Sequence, residues 1–271
     1  MWIAPVLAAA IAFYLASFRP EALGAAPILA LWFFSPVAAW WISLPIPRRI
    51  LALSSDQTRF LREVSRRTWA FFEQFVGPQD HWLPPDNWQE SRPEAIAHRT
   101  SPTNMGLSLL ANLAAYDFGY VPVGSVVTRT ADALGAMRGL ERHRGHFYNW
   151  YDTLTLEPLH PRYVSTVDSG NLAGHLLTLR AGLNELGNDA VANARVFDGL
   201  LDTARIVRTS TAGVAIEGVG DIERELEGMA TAPPGTLRSI HQRLARMAEL
   251  SARVVARAQA GAPASEAACW S

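Results

Sequence analysis

His143, His146, Tyr148, Trp150, Tyr151, Asp152, Asp168 and Asn171 crowd into one stretch from Leu140 to Leu176, LERHRGHFYNWYDTLTLEPLHPRYVSTVDSGNLAGHL. Side chains of these types strung along turns suit a sugar: ring faces stack on the apolar faces of pyranoses, while Asp and Asn hydrogen-bond hydroxyls. The competing reading is a buried aromatic cluster whose polar edges are satisfied internally. His143, His146, His160 and His175 raise the question of a metal, but their spacing fits no common zinc pattern and the single Cys269 stands far away. Gly213, Gly218 and Gly220 lack the Lys-Ser/Thr of a phosphate-binding loop, and no Gly-x-Ser-x-Gly nucleophile motif occurs. Neither a metal nor a cofactor is expected.

The elements that must position these residues read as helices. Ser54 or Ser55 can cap a helix carrying Phe60, Val64, Phe71, Phe72 and Phe75 at helical spacing. Residues 77–101, with Pro84-Pro85 and Asp86-Asn87, read as a loop. Ser101 followed by Pro102 starts the next helix, which should bury Met105, Leu109, Leu110 and Leu113 and end near Gly119. A further helix fits 124–141. FYNWYD and RYVS read as short extended pieces, after which Asp168 or Ser169 can cap a helix to Leu186, closed by Gly187. Residues 189–207 read as helix, 209–235 as a mobile connection or a weakly packed insertion with an acidic cluster from Asp221 to Glu227, and 236–260 as an amphipathic helix. Helices paired antiparallel through short connections, with functional loops at one end, predict an all-α fold amounting to about half of an (α/α) barrel or toroid. Half a toroid leaves an apolar edge, to be covered by chain beyond Ser271 or by a partner.

The N-terminus differs in character. Residues 2–18 and 22–47 carry no charge, and the second run exceeds the roughly 20 residues needed to cross a bilayer. Arg48, Arg49, Arg59, Arg62, Arg66 and Arg67 follow it, whereas the loop between the runs holds only Arg19 beside Glu21. The positive-inside rule then predicts a transmembrane hairpin over residues 1–50, with both ends in the cytoplasm and the bilayer as a partner. Formal net charge is -1 with every basic residue an arginine, so nucleic acid is not an expected partner.

Four runs, WLPPDNWQE (82–90), AHRTSPTNMGL (97–107), LERHRGHFYNWYDT (140–153) and RYVSTVDSGNLAGHL (162–176), resemble in order and spacing the middle region of the cyclic β-1,2-glucan synthases. The resemblance covers roughly residues 56–185. It implies a very large bacterial inner-membrane protein that builds β-1,2-glucan from UDP-glucose. It also implies that 51–190 begin a glycoamylase-like (α/α) barrel domain, continued by 191–271, that closes the glucan ring by transglycosylation. Transfer with retention needs two carboxylates about 5 Å apart. The resemblance places that acid/base pair in Glu-containing motifs of the barrel's second half, outside this chain. The expected partners are then a β-1,2-glucan chain and the remainder of the synthase.

On this reading the glucan-binding residues are Asp86, Asn87, His98, Arg99, Asn104, His146, Trp150, Tyr151, Asp152, Asp168 and Asn171. Trp150 and Tyr151 are the stacking platform, and Asp152 and Asp168 bind hydroxyls. Plainer roles compete at several positions: an Asx turn at Asp86 and Asn87, a backbone partner for Asn104, core packing for the two rings and a helix N-cap for Asp168. Two other functions stay open, a non-catalytic glycan-binding membrane module and a β-1,2-glucan hydrolase.

Overall fold

The computed structural model describes residues 2–44, 52–91, 95–189, 194–210, 218–232 and 234–261. Residues 45–47 of the second apolar run, Gly213 and Cys269 lie outside them. The chain divides into two compact units, Met1–Leu53 and Ser54–Ser271.

In the first unit, α1 (Ile3–Phe18) and α2 (Ala26–Ile42) are joined by a 3₁₀ turn, Pro20–Ala25. At 1.5 Å per residue, their 16 and 17 residues reach about 24–26 Å, short of a hydrocarbon core of roughly 30 Å. No described helix is long and apolar enough to cross a membrane. The expected transmembrane hairpin is therefore corrected. The uncharged run 22–47 overstated its helix, because its first residues belong to the 3₁₀ turn and α2 stops at Ile42. The bilayer partner rested on that hairpin, whereas the inner-membrane location rested on it and on the resemblance together.

The second unit is mostly helical. Ser54 caps α3 (Ser55–Phe75) through a reciprocal capping box with Gln57, as the sequence suggests. The 3₁₀ turn Pro78–Asp80 and a loop lead to β1 (Arg99–Thr100), and Ser101 then caps α4 (Pro102–Asp117) by accepting from Asn104 N at 3.2 Å. After α5 (Val123–Gly139), β2 (Arg142–His143) and β3 (His146–Phe147) form a tight hairpin. β4 (Tyr151–Asp152) pairs antiparallel with β1, setting Arg99 opposite Asp152 and Thr100 opposite Tyr151. Ser165, not Asp168 or Ser169, caps α6 (Thr166–Leu186).

α4 and α6 run parallel, with α5 carrying the chain back between them. Thr103 meets Asp168, Gly106 faces His175 and Leu113 faces Gly182, a constant direction along both helices. This departs from a simple series of antiparallel neighbours. The close crossing requires the glycines, since a Cβ on Gly106 would collide with the His175 imidazole and one on Gly182 with Leu113. Beneath lies a core of Leu83, Met105, Leu109, Met137, Tyr151, Leu172 and Leu179. Each such side chain stabilises the fold by about 1.5–3 kcal/mol. Arg129 of α5 ties this layer to α3: it donates to Phe72 O at 2.8 Å and Asn112 Oδ1 at 3.1 Å, between the Trp69 and Trp82 rings.

A second core joins α7 (Arg195–Ser210), α8 (Val219–Thr231) and α9 (Leu237–Gly261) around Phe197, Leu201, Leu226 and Met247. Residues 219–231 are thus not a mobile connection. Val219, Ile222, Leu226 and Met229 form a buried stripe. The acidic cluster that disguised it pairs across to its neighbours, Glu227 with Arg205 at 2.7 Å, Glu223 with Arg208 at 2.8 Å and Glu225 with Arg246 at 3.0 Å.

α3 is fastened to α7 by Arg62, which reaches the buried Asp202 carboxylate at 2.9 Å. Burial pushes the Asp202 carboxyl above its ordinary value, and the Arg62 hydrogen bond and charge pull it back. A carboxyl raised in the folded state contributes stability that is present at low pH and lost as pH rises through its folded value. Removing Arg62 takes away the opposing influence. Arg62→Ala should therefore cost about 3 kcal/mol near neutral pH by stranding a buried charge. The deficit should shrink in acid, where Asp202 takes up a proton. Urea melts at the two pH values measure this, and an equal deficit at both would contradict it.

Candidate functional site

Because α4 and α6 are parallel, their N-termini lie at the same end of the unit, and the loops that precede them carry most of the residues singled out in the sequence. Each contributes a first turn rich in N–H groups, where a carboxylate is favoured. Asp86 stands at the first. Its Oδ2 accepts from Arg99 Nε at 3.2 Å, Arg99 Nη2 at 3.0 Å and Asn87 Nδ2 at 2.9 Å, and its Oδ1 accepts from Asn104 Nδ2 at 3.1 Å. The loop is shaped for this by backbone bonds from Asp86 N to Ala97 O and from Ala97 N to Asn87 O. Asn104 thus serves Asp86 with its side chain and Ser101 with its N–H.

Asp168 stands at the second terminus, three residues past its cap, Ser165. Its Oδ1 accepts from Thr103 Oγ1 at 2.6 Å, and Asn171 Nδ2 donates to the same Thr103 oxygen at 3.1 Å. Between the two carboxylates lies Asn149, 6% exposed. With its amide oriented to suit its neighbours, Nδ2 donates to Asp168 Oδ2 at 2.9 Å. Its Oδ1 then accepts from Trp150 Nε1 at 2.8 Å and from the Tyr163 hydroxyl at 2.7 Å. The Arg99 guanidinium lies 4.8 Å over the Trp150 ring. Trp150 therefore joins the halves, stacked under the cation of one and bonded to the amide of the other. The result is a continuous polar network from Asn87 to Asn171.

The remaining candidates have other places. Tyr151 is 0% exposed, its hydroxyl donating to Glu141 O at 2.7 Å and accepting from Tyr148 N at 2.7 Å. Burial raises its pKa, which keeps the donor proton in place. Its ring is core, so no sugar can stack on it. Asp152 closes an Asx turn, accepting from Leu154 N and Thr155 N at 2.8 Å each. His146 is exposed in the β2–β3 hairpin, opposite His143. His98 turns to the other side of β1 from Arg99, where its Nδ1 donates to Asp80 Oδ1 at 2.7 Å.

Several members of the network escaped the sequence reading: Thr103, Asn149, Tyr163 and, behind β1, Asp80. Asn149 carried a signal, a lone amide inside the aromatic run FYNWY. Asp80 and Thr103 carried none. Among the described residues no group of three or more His, Cys, Asp or Glu could hold a metal ion. The arrangement offers fixed hydrogen-bonding groups and half-exposed rings. Every oxygen of Asp86 and Asp168 is already engaged, which suits orienting a polyhydroxylated ligand better than attacking one.

Asp80 is 5% exposed and also accepts from the buried Thr153 hydroxyl. Asp80→Ala would strand that hydroxyl, at a cost of about 2 kcal/mol. Asp80→Asn keeps an acceptor oxygen and should recover part of the loss. Thermal midpoints of the two variants check this, and an alanine variant as stable as the parent would contradict it.

No family model matches the chain. Among curated proteins, it is 38% identical over 212 residues to the cyclic β-(1,2)-glucan synthase NdvB of Rhizobium meliloti (strain 1021). That match covers 77% of this chain and 8% of the synthase. Among solved structures, a putative glucoamylase from Bacteroides fragilis NCTC 9343 corresponds loosely, with a TM-score of 0.34 and 17% identity over 69% of this chain and 37% of that one. In sequence, then, the chain is a relative of the cyclic β-1,2-glucan synthases, matching one short stretch of a much longer protein.

Proposed function

We propose that this chain supplies a glucan-binding wall for a domain that remodels β-1,2-glucan, and that the groups that break and make glycosidic bonds belong to other parts of the same machinery. The observation that carries this reading is the network at the paired N-termini of α4 and α6. Asp86, Arg99, Trp150, Asn149 and Asp168 are fixed by one another before any ligand arrives. Preorganised donors and acceptors beside an indole ring are what a neutral, hydroxyl-rich chain requires, since little ordering then remains at binding. Kinship with a β-1,2-glucan synthase supplies the ligand class. In the whole protein the wall would serve transglycosylation that closes the glucan into a ring, within an (α/α) barrel begun by residues 51–190 and continued by 191–271.

The carboxylates also argue for binding over bond cleavage. A retaining pair needs one carboxylate free to attack and another placed to pass a proton. Asp86 spends its oxygens on Arg99, Asn87 and Asn104, and Asp168 on Thr103 and Asn149. A hydrolytic role would have to displace these partners.

Calorimetric titration of the purified chain with linear β-1,2-glucooligosaccharides should show binding, with β-1,4-linked chains markedly weaker and no cleavage or transfer product in either case. Trp150→Ala should weaken binding about tenfold, the value of one stacking contact. Turnover by the pure chain would contradict the non-catalytic reading, and unchanged affinity in Trp150→Ala would return that ring to a packing role.

A further inference from the structure

Tyr163 sits the wrong way round for a tyrosine that serves only the fold. A structural tyrosine usually buries its ring and leaves its hydroxyl wet. Here the residue is 47% exposed, while the hydroxyl is bonded to the buried Asn149 amide at 2.7 Å. The backbone is held at the same place, with Asn149 N donating to Tyr163 O at 2.8 Å. A large part of Tyr163 thus stays in solvent while its hydroxyl and its backbone are both tied to Asn149.

Asn149 Oδ1 accepts from Tyr163 and Trp150 together, so one buried oxygen sets the direction of two neighbouring rings. The Asn149 nitrogen is spent on Asp168, which leaves the amide no freedom to turn. One face of Trp150 is occupied by the Arg99 guanidinium at 4.8 Å, so that ring alone offers a limited surface to a sugar. Asn171, exposed on the second turn of α6, adds a hydroxyl-binding edge close by.

We infer that Tyr163 is a second stacking contact for the glucan, a pre-aimed ring that works with Trp150 on successive glucosyl units, and that Asn149 is the positioning residue for both. This rests on the glucan-binding reading above and extends it to two residues of the same runs that were not among the candidate contacts. The ligand it fits is an uncharged chain of pyranoses presenting flat C–H faces, because the exposed part of the ring is apolar and its one polar atom is already satisfied. Fixing the ring in advance removes the rotamer cost a loose surface tyrosine would pay on binding.

The test uses the 271-residue chain and linear β-1,2-glucooligosaccharides. Tyr163→Ala should bind about tenfold more weakly than the parent. Tyr163→Phe keeps the ring, loses the bond that aims it, and should fall between the two. Circular dichroism confirms that each variant is folded. On the unsubstituted chain, saturating glucan should slow nitration of Tyr163 by tetranitromethane, which needs no variant at all. Unchanged affinity in Tyr163→Ala, or nitration unaffected by bound glucan, would overturn the assignment of Tyr163 while leaving glucan binding intact. Failure of the parent chain to bind would instead overturn the reading beneath it, and this inference with it.

Discussion

The close parallel crossing of α4 and α6 is the constraint on which the rest depends. Parallel helices must place both N-termini at one end, and α5 exists to return the chain so that this can happen. The crossing is close because Gly106 makes room for His175 and Gly182 makes room for Leu113. That proximity lets Thr103 on one helix reach Asp168 on the other at 2.6 Å. Two sets of unpaired N–H groups, two serine caps and two loops are thereby gathered into one place. Wider spacing would leave Asp86 and Asp168 apart, with no shared network.

Within that frame a single buried amide decides polarity. Asn149 needs an acceptor for its nitrogen and donors for its oxygen, and Asp168, Trp150 and Tyr163 meet those needs. An amide so placed specifies geometry more than it adds stability, because a satisfied polar network is worth little net while a broken one is costly. On the other side of Trp150, Arg99 is gripped by Asp86 and half exposed. Exposed ion pairs contribute little to stability. Its value is that it holds a cation and an indole in a fixed relation.

Much of this was legible in the residues, and the misses have physical causes. Ser54 and Ser101 announce helix starts because the hydroxyl, the spacing and the following pattern agree. At α6 three capping residues compete within five positions, and Ser165 wins because its own backbone is extended and its hydroxyl accepts from Asp168 N, which leaves Asp168 inside the first turn. Residues 219–231 looked unstructured because their acidic residues mask a clean apolar stripe whose charges are met only in three dimensions. An uncharged run is likewise a poor measure of helix length, and the N-terminal helices stop short of spanning. Site residues followed the same division. Asp86, Arg99, Asn104, Trp150, Asp168 and Asn171 share one network, as their motifs hint. Tyr151 was out of reach, since alternation along β4 sends it inward and Asp152 outward, and no composition reveals which face is buried.

The central claim is that the paired N-termini form one glucan-binding surface. A crystal structure of the chain grown with a linear β-1,2-glucooligosaccharide tests it most directly. The account predicts sugar density lying between the α4 and α6 N-termini, with a pyranose face against Trp150 or Tyr163 and hydroxyls within hydrogen-bonding distance of the network. Ordered sugar bound elsewhere on the chain, with this surface empty, would contradict it.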